Sequence, residues 1–284
     1  MTVADSFCGL VEFAPAFAPR PQTSHVLFDF DGTVSLIREG WPEIMVPMFV
    51  EMLPALPGEP EAARRKLCFE DIMRLNGKQT IYQMIQLAER IKERGGTPRE
   101  PLWYKHEYLR RLEERIRHRT AGLRRGEIQA DDLLVFGTRA LLETLQWRRL
   151  TLYLASGTDE QFVKAEADLL DVTRYFGRHI YGAQDDYKQF SKKMVIERIL
   201  RENKIEEVLL IQSELDRSRI AEMMSVCERN LADFHVVPDT TELIFSGMIV
   251  QTMHGVPVES RSPGANHPSS QPGLPNRAPC AAGA

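Results

Sequence analysis

The sequence predicts an α/β fold, a parallel sheet covered by helices on both faces, with an all-helical segment inserted after the first strand. Three observations predict it. A short apolar run, His25-Val-Leu-Phe-Asp-Phe, ends in Asp31-Gly32-Thr33, which reads as a buried strand followed by a glycine turn. From Trp41 to about Gly126 the pattern is helical, and after Gln129 short apolar runs alternate with helical ones.

Each element has its own signal. Ile81, Ile85 and Ala88 recur at four and three, one face of a helix that stops at Gly95-Gly96. A further helix starts near Pro98 and runs through Trp103-Tyr104 to Leu109, Leu112 and Ile116, its outer positions dense in Arg and Glu as a solvated face is. Asp131 to Trp147 reads as a helix, Leu150 to Ala155 as a buried strand, and Thr158 to Leu170 as the next helix. His179-Ile-Tyr is a short strand, Ser191 to Glu202 a helix, and Val208 to Ile211 another strand. Ser218 to Arg229 completes the helices and Phe234 to Val237 the strands. The expected organisation is an N-terminal extension over 1–24, a core built from 25–40 and 127–258, the helical insertion over 41–126, and a disordered tail over 259–284, where Pro, Ser, Gly, Asn and Ala dominate.

Composition narrows the function. Hydrophobic residues make up 43% and charged residues 27% of the 284, as in ordinary globular chains. A formal charge of -4 argues against a general nucleic-acid binder, which needs a basic surface to displace phosphate counterions. Four cysteines, Cys8, Cys68, Cys227 and Cys280, lie too far apart for a zinc knuckle or a redox pair and read as free thiols. No stretch is apolar enough to span a bilayer and the first residues lack a secretory pattern, so a cytoplasmic chain without membrane insertion is expected.

Chemistry concentrates in Phe28-Asp29-Phe30-Asp31-Gly32-Thr33. Ligands bind at the carboxyl ends of strands in such sheets, and two carboxylates stand there one residue apart. Asp29 suits nucleophilic attack on phosphorus, and Asp31 suits protonation of the leaving alcohol and later activation of water. A neighbouring Mg²⁺ would neutralise phosphate charge. Gly32 permits the tight turn and Thr33 is placed to satisfy backbone groups there.

This segment resembles the first motif of the haloacid dehalogenase superfamily, whose core is a Rossmann-like sheet. Its second motif, an apolar strand ending in Ser or Thr, resembles Leu152-Tyr-Leu-Ala-Ser156-Gly157-Thr158. The resemblance implies that Ser156 binds phosphoryl oxygens, with Gly157 and Thr158 adding backbone N–H groups at a helix start. It implies a third-motif lysine opening a helix, for which Lys193 fits best; Lys192 is the nearby alternative and Lys188 a distant one. The likeness is nearest to the phosphoglycolate-phosphatase-like branch, in which a helical cap follows the first motif, excludes water and contacts substrate. Arg38, Lys78 and Gln79 are then candidates for specificity, and a small phosphorylated metabolite is the expected partner.

The pattern departs at the fourth motif. After Val208-Leu-Leu-Ile211 the resemblance calls for a metal-binding Asp, and Ser213 stands there; Glu214 and Asp216 are the carboxylates left to complete a Mg²⁺ site with Asp29 and Asp31. Between Gln212 and Asn230 there is room for one helix, where the family places a further strand–helix unit. Residues Ser218 through Asp239, with His254-Gly-Val-Pro257, are also similar to the soluble segment of bacterial polyprenyl-phosphate sugar-phosphate transferases. The resemblance implies a Mg²⁺-dependent phosphatase acting through an aspartyl phosphate. Phosphoglycolate and sugar phosphates are the candidate substrates, a phosphomutase remains a variant of the same chemistry, and a dehalogenase is disfavoured because it needs no proton donor at Asp31. The alternatives from other classes are a catalytically impaired binding or scaffold protein and an accessory of surface-polysaccharide synthesis.

Overall fold

The computed structural model describes residues 23–184, 190–211, 217–237, 251–253 and 256–261. The chain divides into two compact units, 1–202 and 203–284.

In the first unit β1 (His25–Phe28), β2 (Thr151–Asp159) and β3 (Ile180–Ala183) form a sheet in the order β1-β2-β3. Both pairings are parallel: His25 to Phe28 lie opposite Thr151 to Leu154, and Leu154 lies opposite Ile180. Parallel neighbours need long crossovers. The β2–β3 crossover is α6 (Glu160–Leu169) with the short α7 (Thr173–Phe176). As the central strand, β2 buries Leu152, Tyr153, Leu154 and Ala155 in succession. That is why it reads in sequence as an unbroken apolar run rather than an alternating one.

Four helices make up the segment inserted after β1: α1 (Pro42–Met52), α2 (Glu61–Arg74), α3 (Thr80–Glu93) and α4 (Pro101–Arg125). Proline opens α1 and α4, where its missing N–H costs nothing. α4 begins three residues later than Pro98 and ends on Gly126, which takes a left-handed φ of 69° as a C-cap. α3 turns Ile81, Met84, Leu87 and Ile91 inward, with Ile85 and Ala88 at the margin of the stripe. α4 answers with Tyr104, Tyr108, Leu112 and Ile116, one every fourth residue. These side chains join Phe30, Ile37, Leu154 and Val163 in one hydrophobic cluster, so the helices share a core with the sheet.

Two local expectations are corrected here. The helix expected over Asp131 to Trp147 is split into a 3-10 turn, Ala130–Leu133, and α5 (Thr138–Trp147), because Gly137 adopts φ 81° between them. β2 runs on through Thr158 to Asp159, which pairs with Ala183 after an irregularity in the register, so α6 starts at Glu160 rather than Thr158.

α8 (Lys192–Asn203) closes the first unit. The second unit holds β4 (Glu207–Ile211), α9 (Arg217–Arg229), β5 (Asp233–Val237), β6 (Gln251–Met253) and β7 (Val256–Arg261), with sheet order β4-β5-β7-β6. β4 and β5 are parallel, as the intervening α9 demands, while β7 pairs antiparallel with β5 and with β6. The single parallel sheet expected from sequence is thus two sheets among the described residues, the second mixed. β7 also carries Glu259 to Arg261, the first residues of the segment expected to be disordered. Cys68 and Cys227 are free and buried, as expected of reduced thiols; Cys8 and Cys280 lie outside the described residues. No described helix is long and apolar enough to cross a membrane.

Burial decides which positions carry stability. Replacing the fully buried Leu154 by Ala should lower unfolding free energy by about 2–5 kcal/mol, whereas Phe136→Ala, at 85% exposed, should stay within about 0.5 kcal/mol. Urea denaturation of both variants checks this, and equal losses would contradict the placement of β2 at the centre.

Candidate active site

The carboxyl end of β1 turns sharply. Gly32 N–H donates to the Ser35 carbonyl at 2.9 Å, and the N–H groups of Val34 and Ser35 both donate to the Phe30 carbonyl at 2.9 Å. Gly32 takes φ +75°, which a side chain would resist. Phe30 is fully buried. Asp29 and Asp31, on either side of it, both line a cavity of about 440 Å³ with Arg38, Lys78, Tyr108 and Lys192.

The two carboxylates have different surroundings. Asp29 Oδ1 accepts the Phe30 N–H at 2.7 Å and lies 2.7 Å from Lys192 Nζ. Asp31 Oδ2 accepts hydroxyl hydrogen bonds from Ser156 and Thr158, each 2.9 Å. Ser156 is fully buried, and its oxygen also accepts the Thr158 N–H at 3.0 Å. Asp31 Oδ1 is buried with no hydrogen-bond partner, and Arg38 Nε stands 3.9 Å away.

Arg38 is itself fixed. Its Nε donates to both oxygens of Glu166 at 3.0 and 3.1 Å, and Nη2 donates to Glu166 Oε1 at 2.7 Å. Its guanidinium also lies over the Phe162 ring. Burial opposes the Arg38 charge, but Glu166 more than offsets it and holds the arginine above its ordinary pKa. Burial pushes the Glu166 carboxyl up, against the pull of Arg38. Burial likewise raises the Tyr108 hydroxyl, with Arg38 opposing and Asp31 and Glu166 adding to the rise. Tyr108 therefore remains a protonated donor at any ordinary pH.

Three contacts bring the inserted helices to the site. A Cβ on Gly157 would fall 2.4 Å from the Lys78 carbonyl oxygen, so only glycine lets β2 pass the turn between α2 and α3. The Gln79 amide donates to the Phe190 carbonyl at 2.5 Å, just ahead of α8. Lys105 of α4 forms an ion pair of 2.6 Å with Asp159 at the end of β2, both side chains being nearly buried.

Set against the sequence reading, the lysine beside Asp29 is Lys192, not Lys193. α8 begins at Lys192, and the next residue is turned by about 100° around the helix; Lys193 does not line the cavity. Arg38, a specificity candidate, lines the cavity and is held on Glu166 inside the protein. Gln79 is committed to Phe190, while Lys78 is exposed at the rim of the cavity. Gly32, Gly157 and Thr158 line the cavity, and the exposed Thr33 does not. Lys188, Ser213, Glu214 and Asp216 lie outside the described residues. Sequence reasoning missed Glu166, Tyr108, Lys105 and Asp159. Glu166 did carry a signal, since it is a carboxylate on the buried face of α6 beside Val163 and Ala167.

Residues 23–211 match the haloacid dehalogenase-like hydrolase family, and the chain belongs to it. Similar solved structures include a HAD family hydrolase from Deinococcus radiodurans R1 with bound phosphate and sodium (15% identity, 75% of this chain and 80% of that one, TM-score 0.40). A predicted phosphoglycolate phosphatase from Haemophilus somnus 129pt is similar at 12% identity over 68% of this chain and 78% of that one, TM-score 0.44. A HAD-superfamily hydrolase, subfamily IA, from Geobacter sulfurreducens PCA is similar at 15% identity over 75% and 85%, TM-score 0.36. No curated protein matches the sequence. The family assignment rests on the family match alone, which ends at Ile211. None of the comparisons supports the transferase likeness of the residues beyond it.

A buried ion pair is costly to break by halves. Glu166→Ala, which strands Arg38, should cost about 3–5 kcal/mol, while the double change Arg38→Met with Glu166→Leu should cost much less. Chemical denaturation of both variants measures this; a single mutant as stable as the double would contradict it.

Proposed function

We propose that the chain is a phosphatase that hydrolyses a small phosphate monoester through an aspartyl-phosphate intermediate. The observation that carries this reading is the pairing at the mouth of β1: one carboxylate held by a lysine, the other by two hydroxyls, in a single cavity.

Asp29 Oδ1 is occupied by Lys192 and the Phe30 N–H, which leaves Oδ2 as the attacking oxygen. Oδ2 bonds to phosphorus as the ester P–O bond breaks, and the leaving oxygen takes a proton from Asp31. Asp31 then removes a proton from water, which attacks phosphorus and frees phosphate and Asp29. Lys192 offsets negative charge gathering at the phosphoryl group. Ser156 and Thr158 hold the Asp31 carboxylate in place for both transfers.

The family implies Mg²⁺, and the described residues fit it in part. The Asp29 carboxylate and the Asp31 backbone carbonyl offer hard oxygens, and the unpartnered Oδ1 of Asp31 is left for the proton, while no set of three His, Cys, Asp or Glu side chains gathers among the described residues. Mg²⁺ commonly takes one or two carboxylates, with waters and substrate phosphate filling the remaining positions. Asp29 and Asp31 would hold it, and Glu214 and Asp216 stay candidates to complete the set. Bound there, the ion would supply Lewis-acid neutralisation of the phosphate. Ser213, standing where the resemblance calls for a metal-binding Asp, favours a second reading, a binding protein that retains phosphate affinity with little turnover.

In this account α1 to α4 act as the cap that excludes water, and the substrate is a small phosphorylated metabolite met in the cytoplasm rather than a nucleic acid. Hydrolysis of an aryl phosphate with Mg²⁺ tests the assignment. Asp29→Asn should abolish turnover, and Lys192→Met should lower kcat by about 10²–10³ while Lys193→Met changes it little. Turnover surviving in Asp29→Asn, or a larger loss at Lys193 than at Lys192, would sink the assignment. A folded parent that binds phosphate without releasing product would support the binding reading instead.

A further inference from the structure

We propose that Lys105 is a positioning residue for the reaction: from α4 it pins Asp159, and through Asp159 it keeps the Thr158 hydroxyl on Asp31. This rests on the phosphatase reading and adds to it a group that touches neither substrate nor reacting atoms.

The segment that carries the two hydroxyls is an arch rather than a regular strand. Ala155 lies opposite Tyr181 and Asp159 opposite Ala183, so Ser156, Gly157 and Thr158 share Gly182 as their one counterpart on β3. Three residues against one cannot keep the ladder, and the surplus leaves it where both hydroxyls meet Asp31. The arch packs closely onto Gly182: a Cβ there would lie 2.7 Å from the Thr158 carbonyl oxygen and 2.4 Å from the Glu160 Cα. Its position therefore depends on its two feet. Ala155 stands in the buried centre of β2. Asp159 stands where strand gives way to helix and needs a further restraint.

Asp159 is the N-cap of α6, a place where aspartate ordinarily accepts N–H groups of its own helix. It makes no such side-chain bond here, and its Oδ1 lies 2.6 Å from Lys105 Nζ instead. Local capping is given up for a contact with the inserted helices. Lys105 is 2% exposed, and lysine is seldom buried unless its charge is matched. Such a pair adds little net stability, because desolvation of both groups offsets their attraction. It does fix geometry, since neither group can turn away without stranding the other.

Geometry at Asp31 is what the reaction needs. A displacement of about 1 Å at a reacting group can cost on the order of 10²-fold in rate. Thr158 is next to Asp159, so slack at that foot reaches its hydroxyl at once. Lys105 does not itself line the cavity, so its loss should act on kcat and leave KM near the parent value.

The test is a double-mutant cycle in the full chain, read as aryl phosphate hydrolysis with Mg²⁺. Lys105→Met and Thr158→Val should each lower kcat about tenfold or more, with KM changed less than about twofold. The two together should match Thr158→Val by itself to within about twofold, because Lys105 acts through that hydroxyl. A pair that only fastens helix to sheet predicts losses that multiply. Hydrogen exchange without substrate gives a readout independent of turnover. The peptide over 156–160 should exchange faster in Lys105→Met, while α3 keeps its parent rate. Multiplying losses, a kcat left at the parent value in Lys105→Met, an effect on KM alone, or an unchanged 156–160 peptide would overturn the proposal. If Lys105→Met shows no cooperative melting, Lys105→Met with Asp159→Asn, which strands no charge, takes its place in both measurements. A parent that hydrolyses no aryl phosphate refutes the phosphatase reading instead, and exchange over 156–160 then decides this proposal by itself.

Discussion

The site depends on the parallel pairing of β1 with β2, which sets Phe28 opposite Leu154 and so brings the turn after one strand to the serine and threonine of the other. Two hydroxyls from β2 then close on a single oxygen of Asp31. Backbone hydrogen bonds shape the turn itself, and that register is what fixes the Asp31 carboxylate within it. The pairing also explains why Asp31 presents one satisfied and one unsatisfied oxygen to the cavity.

Around that junction the inserted helices act as part of the site. The approach of the Lys78 carbonyl to Gly157, the hydrogen bond from Gln79 to Phe190 and the Lys105–Asp159 ion pair all fall within a few residues of groups assigned to chemistry. Each would be exposed to water if the helices moved away, and a buried ion pair is costly to break by halves. The helices share the hydrophobic cluster of the sheet, so their position is set by packing as well as by these polar contacts.

Much of this was legible in the sequence, for physical reasons that also mark its limits. The strand-turn of Phe28 to Thr33 and the strand leading to Ser156 are local patterns, and the structure places both where the pattern implies. Lys192 and Lys193 could not be separated, because a one-residue difference in helix start rotates the site-facing position. Glu166 and Tyr108 sit at helical spacing among apolar neighbours, and only a fold with Arg38 opposite reveals them as polar partners. Gly137 broke a helix that apolar periodicity alone would have continued. The hairpin of β6 and β7 falls in a stretch with no alternation strong enough to announce it.

The central claim is that Asp29 becomes covalently phosphorylated. Borohydride reduces an acyl phosphate of aspartate to homoserine, so quenching the Mg²⁺-loaded protein during turnover of an aryl phosphate and mapping peptides by mass spectrometry tests it directly. The account predicts homoserine at position 29, dependent on substrate and found at no other aspartate. Phosphate release with Asp29 unlabelled, or labelling at Asp31 instead, would contradict it.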